Sequence, residues 1–350
     1  MPSGVTLRLV AEKAGVSIGT ASQAINNRSN VSPETRARVV EAAIALGYRI
    51  KEQVVQPDDN QLSVVGMLTM HDIGTESAPN IFYSHVQSGV EIECRRRNLG
   101  LMFSTIDVDS KKRPVGWPTM IREKRINGLV LIGTFIEETI DQLQDQAAIP
   151  IVLVDGYAPN LPFDSVLTEN IQGAFSAVEH LIKKGHTHIG LIGWNVNALT
   201  SIHERKEGYI RALQAYGIKQ AYIEESVLDR RPAFEATQRL LKRSPEVTAI
   251  FAGNDETAIG VMNGAQDLGR SLPDELSVVG FDNIDLAGEI KPALTTVHVY
   301  KNWMGMLGVR TLIERSRNPD QPKVTTVVST QLVIRSSVNS LFESSVYGDK

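Results

Sequence analysis

Apolar positions change rhythm near residue 63, and the change divides the chain. Before it, Leu7, Val10, Ala11 and Ala14, then Val16, Ala21 and Ile25, then Val39, Val40, Ala43 and Leu46 recur at helical spacing. Three short helices sharing one small core follow from that spacing. Thr6 stands where it can cap the first, which stops at Gly15. Ser17 caps the second, running from Ile18 to about Asn26. Ser32-Pro33 opens the third, with the hydroxyl at the cap and proline in the first turn, and it continues to Gly47. Residues 51–62, KEQVVQPDDNQL, break the pattern, and Pro57 with two aspartates and several amides marks a linker.

Beyond the linker, SVVGMLTM, LGLMFSTI, INGLVLIGT, IPIVLVDG, HIGLIGW, VTAIFAGND and LSVVGFDN are short apolar runs. Helical patterns lie between them at about 82–97, 170–184, 203–216, 232–243 and 255–269. Strands apolar on both faces, separated by helices, predict α/β architecture with parallel sheets covered by helices. Residues 63–337 are too many for one such sheet, so two lobes are expected. The final segment, 338–350, has no heptads and reads as a tail.

The bulk numbers narrow the class. A 42% hydrophobic and 22% charged chain of 350 residues is ordinary for a soluble protein. No apolar stretch approaches the ~18 residues of a membrane span. MPSGVTLRLV lacks the apolar core of a signal peptide. The single cysteine, Cys94, excludes an internal disulfide and a cysteine metal cluster. A cytoplasmic protein with no membrane contact and no cofactor is expected. The net charge of −4 hides an asymmetry: residues 1–51 carry seven Lys/Arg against three acids, or +4, leaving −8 on the rest. A basic head on an acidic body suggests that the head meets a polyanion.

The second helix, within GVSIGTASQAINN, sharpens this. It carries Ser17, Thr20, Ser22 and Gln23 where a surface helix ordinarily carries Lys and Glu, and no carboxylate lies between Lys13 and Glu34. Two helices joined by a short turn with glycine, the second polar, suggest a helix-turn-helix whose second helix enters the major groove. Hydroxyls there donate to phosphates without bulk. Gln23 offers the acceptor–donor pair that adenine complements, and Ile18 suits a thymine methyl. Gly19 costs the helix about 1 kcal/mol relative to alanine, and close approach of DNA would compensate. A plain packing role for these two helices is the alternative. Arg36 and Arg38 on the third helix favour DNA.

The segment VTLRLVAEKAGVSIGTASQAINNRSNVSPETRARVVEAAIALGY resembles the DNA-binding head of the lactose-repressor/galactose-repressor family. GHTHIGLIG, ERKEGYIRAL, FAGNDETAIGVMNGAQDLGRSLPDELSVVGFDN and PALTTVHV are similar to that family's effector-binding body, in the same order. The resemblance implies a small all-α helix-turn-helix head (1–50) and an α/β periplasmic-binding-protein-like two-lobed body. It implies phosphate and groove contacts from Thr6, Leu7, Ser17, Thr20, Ser22, Asn26, Val31, Ser32 and Thr35, and base reading by Ile18, Gly19 and Gln23. It implies lobe crossings near 158, 290 and 323, hence lobe 1 at about 63–158 and 290–322 and lobe 2 at about 159–289 and 323–337. A homodimer on a pseudo-palindromic operator is implied as well. Two departures stand out. Most relatives carry arginine at the position of Gln23. Ile50, Lys51, Val54, Val55 and Pro57 replace the usual hinge-helix pattern, and proline disfavours a helix there.

Ligands of open α/β sheets bind beyond the carboxyl ends of strands. Phe82, Asp155, Trp194, Asn254 and Asp282 follow or end apolar runs, and Arg205 begins the helix after Trp194. Carboxylates, an amide and a guanidinium hold vicinal hydroxyls, and aromatic faces cover a sugar's C–H surface, so a small-molecule effector, a sugar, is expected. Each has a structural alternative; Asp255 in particular reads as a helix cap. His186 and His188 read as structural, and Cys94 as buried and inert. GNDETAIG lacks a phosphate-loop lysine, and no nucleophile–base set is visible, so an enzyme is not expected. A solute-binding protein without a DNA role, or a regulator whose effector is a partner protein, are the competing readings.

Overall fold

A computed structural model describes residues 6–25, 31–46, 48, 62–73 and 81–342. The chain forms two compact units, residues 1–59 and 60–350.

In the first unit, α1 (Leu7–Ala14), α2 (Ile18–Ile25) and α3 (Pro33–Leu46) close around Val10, Ala11, Ala14, Ala21, Ala24, Val31, Val39, Ala42 and Ala43. Gly15 ends α1 at φ 67°, where its N–H reaches the carbonyls of Ala11 and Glu12. Glycine is favoured at that left-handed position. The Ser17 hydroxyl accepts from the Thr20 N–H at 3.0 Å and opens α2. The Ser32 hydroxyl does the same for the Thr35 N–H at 3.2 Å and opens α3. Thr6 departs from expectation: it sits at the start of α1 in extended backbone, but its side chain makes no capping bond.

In the second unit, two six-stranded sheets form. The first comprises β1 (Val64–Asp72), β2 (Gly100–Val108), β3 (Gly128–Ile132), β4 (Ile151–Val154), β5 (Asp164–Thr168) and β11 (Thr325–Val328). Their order is β11-β5-β4-β3-β1-β2, parallel throughout. The second comprises β6 (Ile189–Trp194), β7 (Tyr222–Glu225), β8 (Ala249–Ala252), β9 (Ser277–Asp282), β10 (Thr295–His298) and β12 (Gln331–Val333), in the order β12-β10-β9-β8-β6-β7. Only the β10–β12 pair is antiparallel. Helices α4 (Ile81–Arg96), α5 (Thr119–Arg122), α6 (Glu137–Ala147) and α11 (Lys301–Arg317) belong to the first lobe. Helices α7 (Asn170–Lys183), α8 (Thr200–Ala215), α9 (Arg230–Arg243) and α10 (Asp255–Asp267) belong to the second.

The lobe boundaries differ from expectation. The chain crosses between Thr168 and Asn170, between His298 and Lys301, and between Val328 and Gln331, not near 158, 290 and 323. The reason is that β5 and β11 are short, partly polar strands that extend the first sheet past β4, while β10 completes the second sheet before the chain returns. Two other boundaries move. Leu62, expected in the linker, is buried in the core of the body. The expected tail is also part of the body up to residue 342: the Asn339 N–H donates to Ser277 Oγ at 2.9 Å and the Leu341 N–H to Lys184 O at 2.8 Å.

Candidate functional site

The head presents α2. Ala21 and Ala24 face inward, while Ile18 is 50% exposed and Ser17, Gly19 and Gln23 are exposed beside it. Gly19 and Gln23 lie one helical turn apart on this exposed side, with Ser17 and Ile18 at its N-terminal end. Ser22 and Thr20 are half-buried on its flank, and the Ser17 and Thr20 hydroxyls lie 2.8 Å apart. A Cβ built on Gly19 would meet only Ser17 Oγ, at 3.7 Å. Internal packing therefore does not require glycine there. Thr6 and Ser32 are exposed, Thr35 and Leu7 half-buried, and Val31 is only 9% exposed because it fills the core. Asn26 and the hinge positions Ile50, Lys51, Val54, Val55 and Pro57 lie outside the described residues.

In the body, one cleft gathers five of the six expected ligand residues. Phe82 and Tyr83 reach it from the first turn of α4, and Asp155 from the end of β4. Arg205 and its neighbours Leu199, Ser201 and Ile202 come from the start of α8, and Leu228 from the loop before α9. Asn254 follows β8, and Asp282 ends β9. The water-accessible space among them is about 70 Å³. Asp155 and Asp282 hold φ of 58° and 105°, a region that costs a non-glycine residue roughly 1–3 kcal/mol and recurs at ligand sites.

Arg205 is the centre of the second lobe's contribution. It is 5% exposed. Its Nε donates to Asn170 Oδ1 at 3.0 Å and its Nη1 to the Gly253 carbonyl at 2.7 Å. Its guanidinium stacks 3.8 Å above the Phe281 ring and its Nη2 lies 3.2 Å from Asp282 Oδ1. That ion pair lacks hydrogen-bond alignment, so Asp282 Oδ1, although buried, has an unfilled acceptor position. Across the cleft, the Tyr83 hydroxyl donates to Asp155 Oδ2 at 3.0 Å. Burial pushes the Asp155 carboxyl up to about 6, against the opposing pull of Arg205. Burial also raises Asp282. One bond spans the lobes: Tyr157 Oη donates to Glu204 Oε2 at 2.6 Å, and that carboxylate also accepts from Asn170 Nδ2 at 3.0 Å.

Two expectations need correction. Trp194 does not line the cleft. Its Nε1 donates to His203 Nδ1 at 3.1 Å, and Lys206 Nζ sits 3.2 Å from its ring centroid. The cause is local: Gly193, at φ 99°, interrupts the β6–β7 register between Ile192 and Trp194 and re-aims the side chain. The cap of α10 is Asn254, whose Oδ1 accepts from the Thr257 N–H at 2.9 Å, and not Asp255. Asp255 instead is fully buried, accepting from the Thr296 hydroxyl at 2.5 Å and the Ile284 N–H at 2.8 Å. Tyr83, Leu199, Ser201, Ile202 and Leu228 line the cleft unforeseen; Tyr83, next to Phe82 in sequence, was the one within reach of inference. His186 is structural, its ring nitrogens lying 3.0 Å from Thr248 Oγ1 and 3.2 Å from Asn339 O. Cys94 is buried, and burial pushes its thiol up to about 11.

Comparison with known proteins places both units. Residues 6–50 match the model of bacterial regulatory proteins of the lacI family, and residues 178–338 match a periplasmic binding protein-like domain. The chain is 32% identical over 340 residues to the HTH-type transcriptional repressor PurR of Vibrio atlanticus (strain LGP32), covering 96% of this chain and 99% of that protein. It is 32% identical over 296 residues to catabolite control protein A of Priestia megaterium, covering 84% and 87%. Among solved structures, the transcriptional regulator CelR–cellobiose complex superposes with a TM-score of 0.67 at 26% identity, covering 95% of this chain and 99% of that one. The lac repressor dimer bound to operator and the anti-inducer ONPF superposes with a TM-score of 0.73 at 23% identity, covering 97% and 100%, and shows the shared fold. With a helix-turn-helix head, a two-lobed body and relatives matched along nearly its whole length, this chain belongs to the lacI family of bacterial regulatory proteins.

Proposed function

We propose that the protein is a repressor that binds a pseudo-palindromic operator as a homodimer and responds to a small polyol, a sugar, held between its lobes. One observation carries the effector half of this reading. Tyr83 and Asp155 of the first lobe face Arg205, Asn254 and Asp282 of the second across a single cavity. A ligand that bridges them favours one lobe arrangement over another by its difference in affinity for the two. Moving a dimer from mostly bound to mostly free takes several kcal/mol of such difference, within reach of two bidentate contacts made in one arrangement only. The DNA half is supported by the carboxylate-free, hydroxyl-rich face of α2 and the +4 charge of residues 1–51.

This function is regulatory, with no chemical step on the ligand, and it is exercised where operator DNA is, in the cytoplasm. Among the described residues no helix is long and apolar enough to cross a membrane. Recovery of genomic DNA bound to the full-length chain, with and without a sugar panel, tests the reading. It expects one inverted-repeat motif whose recovery changes with a sugar; recovery without sequence preference contradicts it.

A further inference from the structure

We infer that the cleft is built for an uncharged polyol and discriminates against its phosphate esters. This rests on the sugar reading above and narrows it.

The donor and acceptor inventory comes first. Among the described residues lining the cleft, Arg205 is the one cation; Asn170 and the Gly253 carbonyl accept from its Nε and Nη1, and its Nη2 is ion-paired with Asp282. Lys301, the nearest other buried cation, donates its ammonium to the backbone carbonyls of Asp282 and Asn283. Two carboxylates line the space, Asp155 and Asp282, and Asp282 Oδ1 is a buried acceptor with no hydrogen-bond partner. Such a lining asks for hydroxyl donors. A phosphate dianion brings acceptors and negative charge, and would meet two carboxylates with the single Arg205 cation, itself ion-paired to Asp282, to offset them.

Phe82, Leu199, Ile202 and Leu228 supply the apolar wall that the C–H face of a ring needs.

Calorimetric titration and thermal shift of the full-length chain test this. The probes are D-ribose, D-glucose, D-galactose and D-fructose, and the monophosphate of each. At least one free sugar is expected to bind, with its monophosphate at least about tenfold weaker. In Asp155→Asn the margin against the monophosphate narrows, because one of the two repelling charges is gone. A monophosphate binding as tightly as its free sugar overturns this inference while leaving the sugar reading standing. Silence of every probe overturns the sugar reading and this inference with it. The unmutated chain decides the matter, so an unstable variant would not rescue it.

Discussion

Arg205 Nη2 lies 3.2 Å from Asp282 Oδ1 inside the second lobe, and both residues are more than nine-tenths buried. The guanidinium is held from three other sides by Asn170, Gly253 and the Phe281 ring. It is therefore both a brace for the lobe and a ready surface for a ligand. Arg205→Ala leaves Asp282 buried without its partner. A loss of about 3–5 kcal/mol in unfolding free energy is expected, read by urea denaturation, together with loss of any sugar-induced thermal shift. An unchanged urea midpoint would show that the pair is not a brace.

Asp255 lies beneath this site, accepting from Thr296 and Ile284, and burial with the nearby Asp282 charge pushes its carboxyl up to about 8. In the unfolded chain it titrates near 3.8. The folded protein thus retains a proton that the unfolded chain has released between about pH 4 and 8, and this group's contribution to stability falls as pH rises through that window. Asp255→Asn removes the proton. Wild-type stability minus variant stability should decline from pH 5 to 8, at up to about 1.4 kcal/mol per pH unit. Taking the difference cancels the titrating groups that do not interact with Asp255, including Asp155 and the buried histidines. A flat difference contradicts the assignment.

Gly19 separates a structural from a functional cause. A Cβ there meets only Ser17 Oγ at 3.7 Å, so Gly19→Ala should stabilise the head by about 0.5–1 kcal/mol through helix propensity. If the bare backbone serves close approach to DNA, the same substitution weakens operator binding. A head both more stable and equally tight on DNA would remove Gly19 from the interface.

Gln23 and Ser22 should separate reading from positioning. Gln23→Ala is expected to relax base preference at one position per half-site, at about 1–3 kcal/mol. Ser22→Ala should weaken all sites alike. Binding-site selection from a randomised pool distinguishes them, and uniform weakening by Gln23→Ala contradicts its reading role.

Much of the fold was legible because its signals are local. Ser17 and Ser32 cap where the sequence places hydroxyls before helical periodicity, and Gly15 stops α1 at a positive φ. The central strands were legible because both faces are covered. The edge strands β7, β11 and β12 were not: they are short and partly polar, and pairing on one side alone leaves little apolar pattern. Helix α11 escaped notice for another reason. Its contact with α4 runs through glycine, and Cβ atoms at Gly89 and Gly305 would sit 2.0 Å from the carbonyls of Asn302 and Val86. A seam made by missing side chains carries no hydrophobic signal. In the site, strand ends pointed to Asp155, Asn254 and Asp282. The register break at Gly193 that turns Trp194 away, and the exchange of roles between Asn254 and Asp255, arise from backbone geometry that residue type does not encode.

Coupling between cleft and operator is the central claim, and thermodynamic reciprocity tests it most directly. With the operator motif and a bound sugar in hand, fluorescence anisotropy gives the factor by which saturating sugar changes operator affinity. Calorimetry gives the factor by which operator changes sugar affinity. Equal factors, each about 5–150-fold in size, are expected. Sugar and operator that each bind with no effect on the other, both factors being one, would contradict the account.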